Sequence, residues 1–328
     1  MNSTAARRRI TATCRTALVA AIIVALWVLP AAPARAEAPD NLEALRQRAL
    51  ELVNQARSRE GLSPLEAGGN LDEAAQSHAQ DMLRRGYFSH TSPEGGNVQD
   101  RYVAAGGSRW ELAAENIARC EGCAPPLTAA TVEWLQEGWM NSPEHRENIL
   151  RAGLTRFGFG IAADAPGGLY AVQTFAGPGT TRGAGQSEAQ ELSREEIAAR
   201  ATEVINEPRR QAGIGGLRAS PVLSEAARNL LANLNTDTAA LDIGGNPFEA
   251  LPAGERGKWR SLSVVAGACG GCGTYPTASN IRSFREQWLD NPQYKQRLLD
   301  PGATAMGFAM QASGNGRKTA VLVLGAER

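Results

Sequence analysis

The sequence predicts an α+β protein of two tandem homologous domains, each with helices packed on a small antiparallel sheet. Three features predict it: self-similarity at a nearly fixed spacing, apolar residues at helical periodicity early in each repeat, and short strand-like runs at each repeat's end. Cys269-Gly270-Gly271-Cys272 stands 149 residues after Cys120-Glu121-Gly122-Cys123. That offset also carries Trp139 onto Trp288, Pro143 onto Pro292, Leu150 onto Leu299, Gly158-Phe159 onto Gly307-Phe308, and Gly95-Gly96-Asn97 onto Gly244-Gly245-Asn246. Further upstream the offset becomes 152, pairing Asn54 with Asn206, Arg57 with Arg209, Gly61 with Gly213, Leu65 with Leu217, and Leu71, Ala74 and Ala75 with Leu223, Ala226 and Ala227. One three-residue deletion reconciles the two. The domains then run over 40–179 and 193–328, joined by a linker at 180–192 rich in Gly, Ser, Thr and Gln.

In the first repeat Leu42, Leu45, Ala49, Leu52 and Val53 recur at helical spacing behind an Asp40/Asn41 cap signal, and Gly61 closes that helix. Leu71, Ala74, Ala75, His78 and Met82 mark one face of a second helix. Thr131 to Trp139 and Glu144 to Leu150 read as helices separated by Asn141-Ser142-Pro143. Phe157 to Ile161 and Leu169 to Phe175 read as strands, and the turn-rich stretch from Asp164 to Gly168 makes them a hairpin.

A length of 328 residues suits two domains, and 43% hydrophobic with 21% charged residues is ordinary globular usage. The formal net charge of zero removes any general electrostatic case for nucleic acid. Residues 1–36 read as a signal peptide: Arg7, Arg8, Arg9 and Arg15 flank the apolar run Ala17 to Leu29, which is short for a membrane span, and Ala34-Arg35-Ala36 is a small-residue cleavage pattern. Cleavage after Ala36 would leave a secreted or periplasmic protein without an integral membrane span; the alternative is an uncleaved anchor. Cys14 would leave with the leader. The remaining cysteines form two C-x-x-C pairs, Cys120/Cys123 and Cys269/Cys272. An oxidising compartment favours disulfides, and pairing within each motif is simplest because each repeat carries its own. A zinc site shared by all four, or redox catalysis, are the other readings.

Four fragments in order resemble signatures of the CAP superfamily (SCP-like proteins: cysteine-rich secretory proteins, antigen 5, pathogenesis-related proteins). They are Tyr87-Phe88-Ser89-His90-Thr91-Ser92-Pro93-Glu94-Gly95; Ala114-Glu115-Asn116-Ile117-Ala118; Trp139-Met140-Asn141-Ser142-Pro143-Glu144-His145-Arg146; and Phe157-Gly158-Phe159-Gly160 with Tyr170-Ala171-Val172-Gln173-Thr174-Phe175. The resemblance is of the bacterial type, nearly complete in the first repeat and fainter in the second. It implies an α-β-α sandwich. It also implies a cleft with two histidines and two acidic residues, which carry over as His90, His145 and Glu115, with Glu137 the best match for the second acid and Glu133 the other.

Two imidazoles and a carboxylate suit a divalent ion, zinc foremost, with His90 and His145 as ligands. Glu115 would orient a histidine or a water, or act as base. Otherwise these side chains hydrogen-bond one another and shape the cleft. The third histidine, His78, maps onto Leu230 and reads as a packing position. In the second repeat His90 becomes Ala239, Glu115 becomes Val264 and His145 becomes Tyr294, while Glu137 persists as Glu286. That repeat is therefore expected to keep the fold without the site, as a structural or partner-binding domain. Two functions follow from different classes: a binding module for a lipid, glycan or protein ligand, or a metal-assisted hydrolase of peptide or cell-envelope material. The incomplete ligand set favours binding.

Overall fold

The structure, a computed structural model, describes residues 38–123, 125–164, 168–181, 190–234 and 246–328. Residues 1–36, expected to be a signal peptide, positions 182–189 of the expected linker, Ala239 and Gly244-Gly245 lie outside the described residues. In the first repeat the order is α1 (Leu42–Arg59), β1 (Glu66–Ala67), α2 (Gly69–Arg85), α3 (Val98–Ala104), β2 (Leu112–Glu121), α4 (Ala129–Asn141), α5 (Pro143–Leu150), β3 (Arg156–Ala163) and β4 (Gly168–Gly177). The second repeat follows as α6 (Arg194–Gln211), β5 (Arg218–Ala219), α7 (Pro221–Asn233), two short 3-10 turns, β6 (Trp259–Cys269), α8 (Ala278–Asp290), α9 (Pro292–Leu298), β7 (Ala305–Ala312) and β8 (Lys318–Glu327).

Each repeat forms a four-stranded sheet, ordered β1-β3-β4-β2 and β5-β7-β8-β6. The long strands are antiparallel, and the two-residue strands β1 and β5 add to the edge in parallel. The hairpin expected over the first repeat's last two strands is β3–β4. Helices cover both faces. On one side Leu45, Ala49 and Val53 of α1 meet Val132, Leu135 and Trp139 of α4 and the inward side chains Phe157, Phe159 and Phe175. On the other, Ala75, Ala79 and Met82 of α2 pack on Ile117, Tyr170 and Val172. Two helical layers around one sheet make each repeat an α-β-α sandwich. Glycine lets α2 lie against the sheet: a Cβ on Gly158 would stand 2.2 Å from the Leu71 carbonyl carbon, and one on Gly307 2.0 Å from that of Leu223 in α7.

The offsets found in the sequence hold atom for atom. Glu115 faces Thr174 across β2–β4, and Val264 faces Val323 across β6–β8. Asn54 exchanges two hydrogen bonds with the Leu65 backbone, at 2.9 and 2.7 Å, and Asn206 does the same with Leu217 at 2.9 and 2.7 Å. Arg57 donates to the Ser63, Ile149 and Arg151 carbonyls, and Arg209 to those of Gly215, Leu298 and Asp300. These buried arginines donate to helix-end and loop carbonyls, among them those of Ile149 and Leu298 at the ends of α5 and α9.

Two local features differ from the sequence reading. Asn41 occupies the N-cap of α1 without capping it; its side-chain amide donates to the Leu127 carbonyl instead. Strand β2 also escapes periodicity, because its centre carries buried Glu115 and Asn116 and is covered on both faces.

The repeats touch through the second C-x-x-C. Both cysteine pairs are disulfide-bonded within their own motifs. The Gly271 N–H donates to the Trp110 carbonyl at 2.7 Å, Gly273 N–H to Pro178 at 2.9 Å, and Cys272 forms a β-bridge with Gly179. Arg317 lies over the Trp110 ring at 4.5 Å. No helix among the described residues is long and apolar enough to cross a membrane.

Candidate functional site

The site gathers around one carboxylate. Glu115 projects from β2 with a side chain only 1% exposed. A charge so deep requires paired partners. His90, in the loop between α2 and α3, places Nδ1 2.8 Å from Glu115 Oε1, and Arg101 of α3 donates from Nη2 to Oε2 at 2.7 Å. Arg101 also donates to the His90 carbonyl at 3.0 Å and the Gly96 carbonyl at 3.1 Å, so one guanidinium fixes both the acid and the loop. An Asn97–Asp100 capping box starts α3 and sets the register that brings Arg101 there.

With Nδ1–H directed at the carboxylate, His90 leaves Nε2 as an acceptor on a ring that is 55% exposed. His78, buried on α2, packs behind. Its Nε2–H donates to the Ser89 carbonyl at 3.0 Å and lies 3.8 Å from Glu115 Oε1. Burial pushes the His78 pKa below the ordinary imidazole value, against the pull of Glu115. His78 is thus a core residue that also backs the site.

His145 comes from α5, held in place by amides. Asn148 donates to the Glu115 carbonyl at 3.1 Å and to Asn116 Oδ1 at 3.0 Å. Asn116 donates to the His145 carbonyl at 3.1 Å and Gln173 Oε1 at 3.0 Å, and Gln173 donates to Gln136 Oε1 at 2.8 Å. This network ties α4, α5, β2 and β4 together. Burial, with His90 nearby, lowers the His145 pKa below the ordinary imidazole value, which favours the neutral ring.

Glu137 lies exposed on α4 with no hydrogen bond or ion pair among the described residues, while Glu133 pairs with Arg48 at 2.7 Å. Neither bonds to His90, Glu115 or His145. The sequence reading overlooked Arg101, Asn116, Gln136, Asn148 and Gln173. A signal for most of them existed. Under the same offset they become Ala250, Val265, Arg285, Arg297 and Leu322, so the polar set is replaced in the second repeat together with Glu115 and His145. Of these contacts one survives in altered form: Arg297 donates to the Val264 carbonyl at 2.6 Å, as Asn148 does to Glu115.

Among the described residues no group of three His, Cys, Asp or Glu side chains is arranged to hold an ion, and the Glu115 oxygens are committed to an imidazole and a guanidinium.

The cysteine-rich secretory protein family (CAP) matches residues 50–175 and 202–324, together more than half of the chain. The protein YkwD of Bacillus subtilis is 36% identical over 136 residues, covering 39% of this chain and 49% of that protein, and the membrane protein YlbC of the same organism is 35% identical over 112 residues, covering 34% and 30%. The chain therefore spans about half or less of the length of these curated relatives. Among solved structures, an extracellular SCP-domain protein of Bacillus anthracis is 33% identical with a TM-score of 0.34, covering 40% of each chain. Na-ASP-1 is 12% identical with a TM-score of 0.37, covering 87% of this chain and 90% of that one. With the family matched in both repeats, the chain belongs to the CAP family.

Proposed function

We propose that this is an exported binding protein, secreted or periplasmic, whose first domain receives a hydroxyl-bearing ligand such as a glycan between His90 and His145. The observation that supports this reading is the arrangement of Glu115: buried and held by Arg101, it fixes the His90 tautomer and leaves Nε2 as an oriented acceptor. His145 is kept neutral beside it, and Phe88, 45% exposed and tilted against Tyr170, offers an apolar shelf two residues from His90. A divalent ion would rest on His90 and His145 alone. In this reading Glu115 serves as the orienting group of His90 rather than as a free base.

Calorimetric titration of residues 37–328 with soluble cell-wall glycan fragments, and separately with zinc, tests this. Saturable glycan binding lost in both His90→Ala and His145→Ala supports the reading. Glycan binding that both variants leave unchanged overturns it, as does one-site zinc binding at micromolar affinity that both abolish.

A further inference from the structure

We propose that the outer edge of β7 in the second domain is a docking site for an extended, acidic segment of a partner polypeptide, taken up by strand addition. The first domain shows what a closed edge looks like. There, Phe159 N–H donates to Asp72 Oδ1 at 2.8 Å, its carbonyl accepts from Arg46 Nε at 3.1 Å, and Gln76 clasps both backbone groups of Ile161 at 3.0 Å each. Side chains from α1 and α2 thus consume the hydrogen-bonding groups that β3 turns away from β4. Sheets that leave such groups open template pairing with another chain, so folds normally block them.

In the second domain the three sealing residues are gone: the repeat offset puts Ala198, Ser224 and Arg228 in place of Arg46, Asp72 and Gln76. The strand register is unchanged, with Gly307 opposite Val323 and Ala309 opposite Val321 as Gly158 and Gly160 stand opposite Thr174 and Val172. Phe308 and Met310, the counterparts of Phe159 and Ile161, therefore turn their N–H and C=O groups outward. Strand β5 ends at Ala219, and its pairing with β7 stops at Met306, whose carbonyl takes the Ser220 N–H. Beyond that point no hydrogen bond to the Phe308 or Met310 backbone closes the edge among the described residues.

A groove of roughly 410 Å³ runs along this edge between α6 and α7, lined by Ile197, Leu231, Phe308 and Met310 with Arg194 and Arg228. Both arginines are exposed, neither is in an ion pair among the described residues, and no carboxylate lines the groove. Each feature selects the occupant. Backbone groups at a two-residue repeat match a polypeptide strand and nothing in a lipid chain. Alternate side chains of such a strand would enter the apolar floor, and two unpaired guanidinium groups would take carboxylates.

The test is fluorescence anisotropy of residues 37–328 with a labelled decapeptide of alternating valine and glutamate. One control peptide is N-methylated at alternate residues, and another has lysine for glutamate. Ser224→Asp with Arg228→Gln restores the two sealing residues that α2 supplies in the first domain, and Arg194→Ala with Arg228→Ala changes only exposed side chains; thermal melts check that both fold. The parent peptide should bind, with losses of about tenfold or more in each control peptide and in each variant. Equal binding of the N-methylated peptide, or no binding of the parent, overturns the proposal. So does a dimer by light scattering that the sealed variant converts to monomer, since a second copy would then fill the edge. Anionic lipid vesicles that displace the peptide and bind wild type but not the sealed variant would also overturn it.

Discussion

Removing Arg101 exposes how the site is held together. In Arg101→Met the Glu115 carboxylate, 1% exposed, would be left with only imidazoles beside it, because the guanidinium at 2.7 Å is its one permanently charged partner among the described residues. Arg101 itself is 13% exposed, so solvent screens the pair weakly. Breaking a buried pair by deleting one partner costs about 3–5 kcal/mol, mostly the penalty of stranding the other charge. The same substitution in a Glu115→Gln background should cost far less, since no buried anion is left, giving a coupling of about 2 kcal/mol or more. Urea unfolding of wild type, both single variants and the double variant measures this directly. A cost below about 1 kcal/mol for Arg101→Met, the range of an exposed pair, or additive single effects, would refute the claim that Arg101 carries the Glu115 charge.

Other predictions concern single elements. The depressed His78 pKa means the unfolded chain takes up a proton that the folded one resists, so stability should fall as pH drops below the ordinary value of 6.5; His78→Leu, the residue at this place in repeat two, should flatten that slope in pH-dependent unfolding. Burial pushes Lys318 down to about 8 from 10.5, so the second domain should gain stability as pH rises through that window, and Lys318→Met should remove the gain. Gly307→Ala drives a methyl into the α7 backbone, 2.0 Å from the Leu223 carbonyl carbon, and should destabilise the second domain by about 1–3 kcal/mol or more in calorimetry. Trp110→Ala removes the ring under Arg317 beside the Cys269–Cys272 loop and should split a single melting transition into two, whereas Cys120→Ser with Cys123→Ser should leave the coupling of the domains intact.

Much of the fold was legible because the chain states it twice. Positions that persist at the repeat offset are fold positions: Arg57 and Arg209 cap equivalent carbonyls, and Gly158 and Gly307 admit equivalent helices. Periodicity located α1, α2 and the β3–β4 hairpin, whose apolar faces obey simple rules. It could not locate β2, whose centre carries a buried acid and a buried amide, nor α3, a helix of only 7 residues with a single buried side chain. Family motifs pointed to His90, Glu115 and His145, but the partner that neutralises Glu115 lies 14 residues away in a segment without such a motif. Arg101 becomes visible only by asking which polar residues vanish with the site in the second repeat. The sealed edge of β3 was likewise invisible, since Asp72 and Gln76 look like ordinary polar residues on a helix until their hydrogen bonds to β3 are seen.

The most direct test of the account is the tautomeric state of the histidines. The chain has only three, so long-range 15N–1H correlation spectra of residues 37–328, recorded above the imidazole titration range, resolve each ring. His90 should be protonated on Nδ1 toward Glu115 and His78 on Nε2 toward Ser89, with Glu115→Gln disturbing the first. A His90 ring carrying its proton on Nε2, or one indifferent to Glu115→Gln, would contradict the claim that a buried carboxylate orients this imidazole for a ligand.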